Sequence, residues 1–380
     1  MKDFKYWDNL HRNEKLEEFS SDRVGLLWLK LKSIIRVGLV KGFLNFSGYR
    51  IDTKKQSENF HELFDLLSRD VNGSHKLLNE YIKNVSNQQI ASVDIPRLVS
   101  ELYKLKNFEW GGDYQNSLDK HLISRYVKVL NPSLDYLMSK FETEINPAVQ
   151  GYVLNSWYNY WSSVLIENIF KSHSAVLPTV GQIKSIDFFI DDIPFDLKVT
   201  YLPAEYVKQK RKEKGYPVEL TFLKQKAKEA NIDYDRNAKP ANLFYEITEK
   251  MKDRDDNLCK QTLQTLKAEK IKILQETQDN PKILAKWLYE NQGEMRFGSE
   301  NRLFLVLVDT EDFNNSWKLK RNIDLLKPTI ASYLNNFKNK KIRDLQVDFE
   351  FKGKLHKFSA LADVIFVVKK EEKKTGVAIY

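Results

Sequence analysis

The chain has 380 residues, 42% of them hydrophobic and 30% charged, with only 14 glycines and 10 prolines, a balance that excludes collagen-like, mucin-like and low-complexity classes. A single cysteine, Cys259, excludes an internal disulfide and cannot alone build a thiolate zinc site, so a reducing cytoplasm is the expected compartment. Sixty-one Lys and Arg against 52 acidic residues give a formal charge of +9, which makes nucleic acid the first expected partner.

In chain order, residues 1–150 read as an all-helical lobe. Stretches such as 24–31 and 60–67 repeat apolar residues at three and four. Breaks are expected at Asn72-Gly73, Asp94-Ile95-Pro96, Gly111-Gly112, Asn131-Pro132 and Asn146-Pro147. A long helix over about 148–171 then carries an aromatic-rich face of Tyr152, Trp157, Tyr160 and Trp161, of which Trp157 and Trp161 read as core packing. Beyond it the period falls to two. Residues 175–177 and 186–190 read as strands, and the turn at 191–194 leads into a strand over 195–201, a β-hairpin. Charged helical sequence fills 203–291. The apolar run 303–308 reads as a strand buried on both faces, a helix follows over 317–338, and strands are expected at 345–351 and 363–368 before a charged tail. No apolar run is long enough to cross a membrane. The expected fold class is α/β in the broad sense, an α+β mixed sheet, with a core from 151–202 and 292–380, an N-terminal helical lobe (1–150) and a helical insertion (203–291).

The hairpin holds the chemistry. Asp196 and Lys198, two residues apart, share a face of one strand, and folding the hairpin brings Asp187 beside them. Two converging carboxylates repel unless a cation lies between them, and hard oxygen donors favour Mg²⁺. An ammonium beside them can orient or deprotonate a water, or offset charge developing on a phosphate. These are the parts for hydrolysing a phosphodiester. An acid followed two places later by lysine also occurs at Asp3-Phe4-Lys5 and Glu350-Phe351-Lys352; Asp196 differs in lying inside an apolar strand, flanked by Phe195, Leu197 and Val199.

Ile186-Asp187 and, nine positions after Asp187, Asp196-Leu197-Lys198 resemble the signature of the PD-(D/E)XK, restriction-endonuclease-like nucleases, with Ile186 where that pattern often has Pro. The resemblance implies a nuclease core of a helix, a three-strand meander, a helix and a further strand. It implies that Asp187 and Asp196 ligate Mg²⁺, with Mn²⁺ as a substitute, and that the backbone carbonyl of Leu197 is a further ligand. Lys198 would position the attacking water, and Glu167, from the preceding helix, would contact a metal-bound water or a second ion. Lys184 or Gln182 would touch the scissile phosphate. The match covers about fifty residues and says little of residues 1–150.

Directly after the signature, Lys208, Lys210, Arg211 and Lys212 form a basic helix suited to phosphate contact. Six histidines show no metal-ligand spacing, and no Walker-type loop implies ATP. The sequence thus points to a Mg²⁺-dependent deoxyribonuclease acting on double-stranded DNA, a type II restriction endonuclease working as a homodimer on a palindromic site. Its rivals are a structure-selective repair, junction or defence nuclease of the same fold, and a non-catalytic DNA-binding protein.

Overall fold

Short polar residues start many of the helices. Asp3, Asp22, Asp70, Asp94 and Ser133 each accept an amide N–H from the first turn that follows, supplying partners that the helix backbone cannot. The helices are α1 (Phe4–Arg12), α2 (Arg23–Lys32), α3 (Val37–Ser47), α4 (Gln56–Leu67), α5 (Val71–Ala91), α6 (Ile95–Lys104), α7 (Leu134–Lys140) and the long α8 (Asn146–Lys171). These come from a computed structural model, described for residues 2–13, 17–51, 55–106, 118, 122–127, 133–183, 185–238, 240–254, 256–291, 300–350 and 357–370. The expected breaks at Gly111-Gly112 and Asn131-Pro132 and the charged tail beyond residue 370 lie outside the described residues. Before residue 150 the described residues form helices and no strand.

A meander follows: β1 (Val176–Ile183), β2 (Ile186–Ile190) and β3 (Ile193–Tyr201). The insertion supplies α9 (Ala204–Glu213), α10 (Glu219–Glu229), α11 (Pro240–Lys252), α12 (Asn257–Asp279) and α13 (Pro281–Asn291). Then come β4 (Arg302–Asp309), α14 (Ile323–Asn336), β5 (Gln346–Glu350) and β6 (Lys357–Lys369). The six strands form one mixed sheet in the order β1-β2-β3-β4-β6-β5, antiparallel through the meander, parallel across β3-β4-β6 and antiparallel at β5. The fold is α+β.

Strand alternation divides the core. Leu303, Leu305 and Leu307 of β4 pack with Phe188, Phe195 and residues of α8 and α14 on one face. Phe304, Val306 and Val308 pack with α9, α12 and α13 on the other. Both faces of β4 are therefore covered, as its unbroken apolar run requires. At the β1–β2 end, that second face is covered by the N-terminal helices: Leu177, Val180, Ile183, Ile186 and Phe189 share a single core with Trp7, Trp28, Leu63 and Leu78.

Two elements differ from expectation. β1 runs on to Ile183 through a bulge between Pro178 and Ile183, where Pro178 and Gly181 weaken the strand signal. Gly181 is required there, because a Cβ would lie 2.2 Å from the Ser33 carbonyl oxygen. The helix expected over 317–338 is split, with 3-10 turns over Phe313–Arg321 before the Asn322 side chain accepts from Leu325 N–H at 3.2 Å and starts α14 afresh.

The β2–β3 turn is tighter than the sequence suggests. Asp191 and Asp192 both take positive φ (50° and 62°), the geometry of a two-residue hairpin turn that Asp tolerates. Asp192 also accepts from Lys30 Nζ at 2.6 Å, and that ammonium, fully buried in α2, lies 3.1 Å from His75 Nδ1 of α5. Burial holds the Lys30 amine below its ordinary range while Asp192 opposes the shift. The hairpin tip is thus tied to the helical lobe by charge as well as by packing. Asp192→Asn keeps a residue that tolerates the turn and removes only the charge; it is expected to cost about 2 kcal/mol, read as a lower midpoint in denaturant unfolding.

Candidate active site

β2 and β3 pair tightly near the turn, with Ile190 facing Ile193, Phe189 facing Pro194 and Phe188 facing Phe195. Asp187 and Asp196 would be the next pair. The ladder stops there instead, and from Asp196 onward β3 pairs with β4. Facing residues share a face of the sheet, so Asp187, Asp196 and Lys198 project together where the two strands part. Phe189 lies on that face among the N-terminal helices, and Phe304, opposite Lys198, lies on it among the insertion helices. The acidic pair is therefore set between the two helical packs.

The parted strands leave backbone groups to be satisfied. Asp196 N–H donates to the Asn301 carbonyl at 3.0 Å, on the β4 side. Alternation turns the next residue's groups the other way, toward β2. There the Leu197 N–H donates to Asp187 Oδ2 at 2.8 Å, and the Leu197 carbonyl points to the same opening.

Asp196 is 6% exposed. Its Oδ1 accepts from Lys198 Nζ at 3.0 Å, while Oδ2 lies 2.8 Å from that ammonium and 3.8 Å from Arg302 Nε. Oδ2 and Arg302 Nε are both buried without a hydrogen bond. The Asp187 carboxyl is pushed up to about 6, first by burial and then by the negative charges of Asp196 and Glu167, against the Leu197 N–H and the Lys198 charge. Glu167 sits on α8, which covers the opposite face, and pairs with Lys171 at 2.8 Å. Its charge reaches Asp187, but its carboxylate is committed to that lysine.

Among the described residues no group of three or more His, Cys, Asp or Glu side chains is placed to hold a metal ion. The donor set is a carboxylate pair with a backbone carbonyl. It fits Mg²⁺, which takes few protein oxygens and keeps several waters, and Asp196 Oδ2, buried with an ion-pair contact to Lys198 but no aligned hydrogen bond, has a lone pair to offer a hard cation.

Arg302 is the residue that the sequence did not bring to the site. Its Nη2 donates to Glu300 Oε2 at 3.2 Å, Glu300 Oε1 accepts from Ser185 Oγ at 2.6 Å, and the guanidinium lies 5.1 Å from the centre of the Tyr289 ring. The Tyr289 hydroxyl in turn donates to the Glu300 carbonyl at 2.6 Å. Arg302 opens an apolar strand, so its polarity marks it, but its parallel pairing with Asp196, over a hundred residues earlier, has no local signal.

The expected DNA-contact residues fare unevenly. Arg211 is corrected: it is 2% exposed, and its guanidinium donates to Glu269 and to the Pro217 carbonyl, so it is a buried anchor of α9 and cannot meet phosphate. Lys208 pairs with Glu205 at 3.2 Å and Lys210 with Glu213 at 2.7 Å, while Lys212 is exposed. Gln182 lies on β1, and Lys184 is outside the described residues. Glu350 of the competing Glu350-Phe351-Lys352 motif is exposed on the edge strand β5, as is its neighbour Asp348. Trp157 and Trp161 pack partly buried near Leu102 and Leu165. Comparison with protein-family models, with curated proteins and with solved structures finds no match for this chain.

Proposed function

We propose that the chain is a Mg²⁺-dependent endonuclease with a PD-(D/E)XK-like core, hydrolysing double-stranded DNA as a site-specific type II restriction endonuclease in the cytoplasm. One observation carries the proposal: Asp187, Asp196 and Lys198 emerge on one sheet face at the point where β2 leaves β3. Asp187, Asp196 and the Leu197 carbonyl would hold the ion, which when bound would acidify a water and neutralise charge on the phosphate. Lys198, half-exposed and already against Asp196, would orient that water and offset the negative charge that builds on the phosphate. Arg302, fixed by Glu300 and Tyr289, would balance the charge of Asp196 and donate toward the reacting phosphate. One site cuts one strand, so cleavage of both strands calls for two copies about a two-fold axis.

The test is incubation of the purified chain with unmethylated phage DNA. Discrete fragments with Mg²⁺ and intact DNA with chelator are expected. A smear, or a preference for branched DNA, would replace site-specific restriction by structure selection, and no cleavage with Mg²⁺ or Mn²⁺ would remove the activity.

A further inference from the structure

The lysines of α9 that sequence singles out are largely spent on neighbouring glutamates, but a different set is not. On α10, Lys224 and Lys228 lie one turn apart and, with Arg236 in the loop that follows, make no ion pair among the described residues, whereas Lys226 between them pairs with Glu229 at 2.7 Å. Together with Gln225, Asn231 and Tyr234 they line a crease of about 740 Å³. The only carboxylate in its lining, Asp233, accepts from the Tyr234 N–H at 3.0 Å.

The crease is built into the fold. Asn231 takes a positive φ of 50°, and the Ile232 N–H returns to the Ala227 carbonyl at 2.8 Å, closing the helix and folding the loop back along it. Ile232 is buried in the cluster of α10, α11 and α12, and Lys250 Nζ of α11 donates to the Asp233 carbonyl at 2.8 Å. Three cations without an ion-pair partner among the described residues are thus held beside one carboxylate in a preformed, polar crease of net positive charge, an arrangement that suits a hydrated polyanion strand and not an apolar ligand.

We propose that this crease grips the sugar-phosphate backbone of DNA, with Lys224, Lys228 and Arg236 each meeting phosphate; the inference rests on the nuclease proposal. In the test, a labelled 30-base-pair duplex is titrated with full-length chain in EDTA from 50 to 200 mM salt, so that binding is read without cutting. The triple variant K224A/K228A/R236A is expected to bind at least about 10-fold more weakly at 100 mM salt, with a log–log salt slope shallower by about 2 to 3. The charge-preserving K224R/K228R/R236K variant should restore both, and thermal unfolding should not change in either. Unchanged affinity and slope in the triple variant would overturn the inference and leave the nuclease proposal standing. A wild type that binds the duplex, loses affinity in the triple variant and never cuts with Mg²⁺ would sink the nuclease proposal alone. A wild type that does not bind the duplex overturns both.

Discussion

Asp196→Asn is expected to lower Mg²⁺-dependent cleavage by at least about 10³-fold while duplex binding in EDTA is kept or tightened. The change is nearly isosteric, yet it removes the charge that Lys198 Nζ approaches to 2.8 Å and Arg302 Nε to 3.8 Å. An amide is a poor ligand for a hard cation where a carboxylate was, and it cannot balance two nearby cations. Removing one preorganised electrostatic partner of a transition state typically costs about 10²- to 10³-fold, and on the proposed mechanism the loss of a metal ligand would cost the orientation of water as well. The checking measurement is single-turnover cleavage alongside duplex binding by anisotropy. Cleavage that persists within tenfold of wild type would remove Asp196 from the chemistry; loss of binding together with cleavage would point to a folding role.

Asp187→Asn separates stability from activity. The Asp187 carboxyl titrates at about 6 in the folded chain, mainly because burial disfavours its charge, against about 3.9 when unfolded. An acid raised on folding costs nothing while it is protonated in both states, and it costs progressively more as pH climbs from about 4 to 6. Above that the cost levels off at about 1–3 kcal/mol. Asparagine has no charge to desolvate and can still accept from the Leu197 N–H. The variant is therefore expected to be more stable than metal-free wild type at pH 8 by about that amount, with the gain vanishing near pH 4 in denaturant titrations. It should cut no DNA, and 10 mM Mg²⁺ should stabilise wild type but not the variant. Equal stability of the two at pH 8 would show that the carboxyl is not penalised by its surroundings.

Short-range signals carried much of this fold into the sequence. Alternation in 186–190 and 195–201, and the unbroken apolar run of β4, put the hairpin and the buried strand where they lie, and Asp196 stood out because a charge inside an apolar strand needs a reason. Long-range pairing had no such signal. That β3 turns from β2 to β4 at Asp196, that Arg302 arrives beside it, and that Asp192 meets Lys30 are facts of topology between residues more than a hundred positions apart. The basic helix misled in part for a related reason: composition counts Arg211 as a cation, but only packing shows that Glu269 and the α9 core have absorbed it.

The shared core of the N-terminal helices with β1 and β2 bears on how the chain is made. Trp28, Leu63 and Leu78 share one core with Leu177, Val180 and Phe189, and the buried ammonium of Lys30 meets its counter-charge only in Asp192. A ribosome that has released the first hundred residues has therefore delivered helices without their floor. Closure of the lobe is therefore expected to wait for the segment near residue 192, so that the earliest part of the polypeptide to be synthesised would not be the earliest to become stable, with its apolar surfaces open to chaperones in the interval.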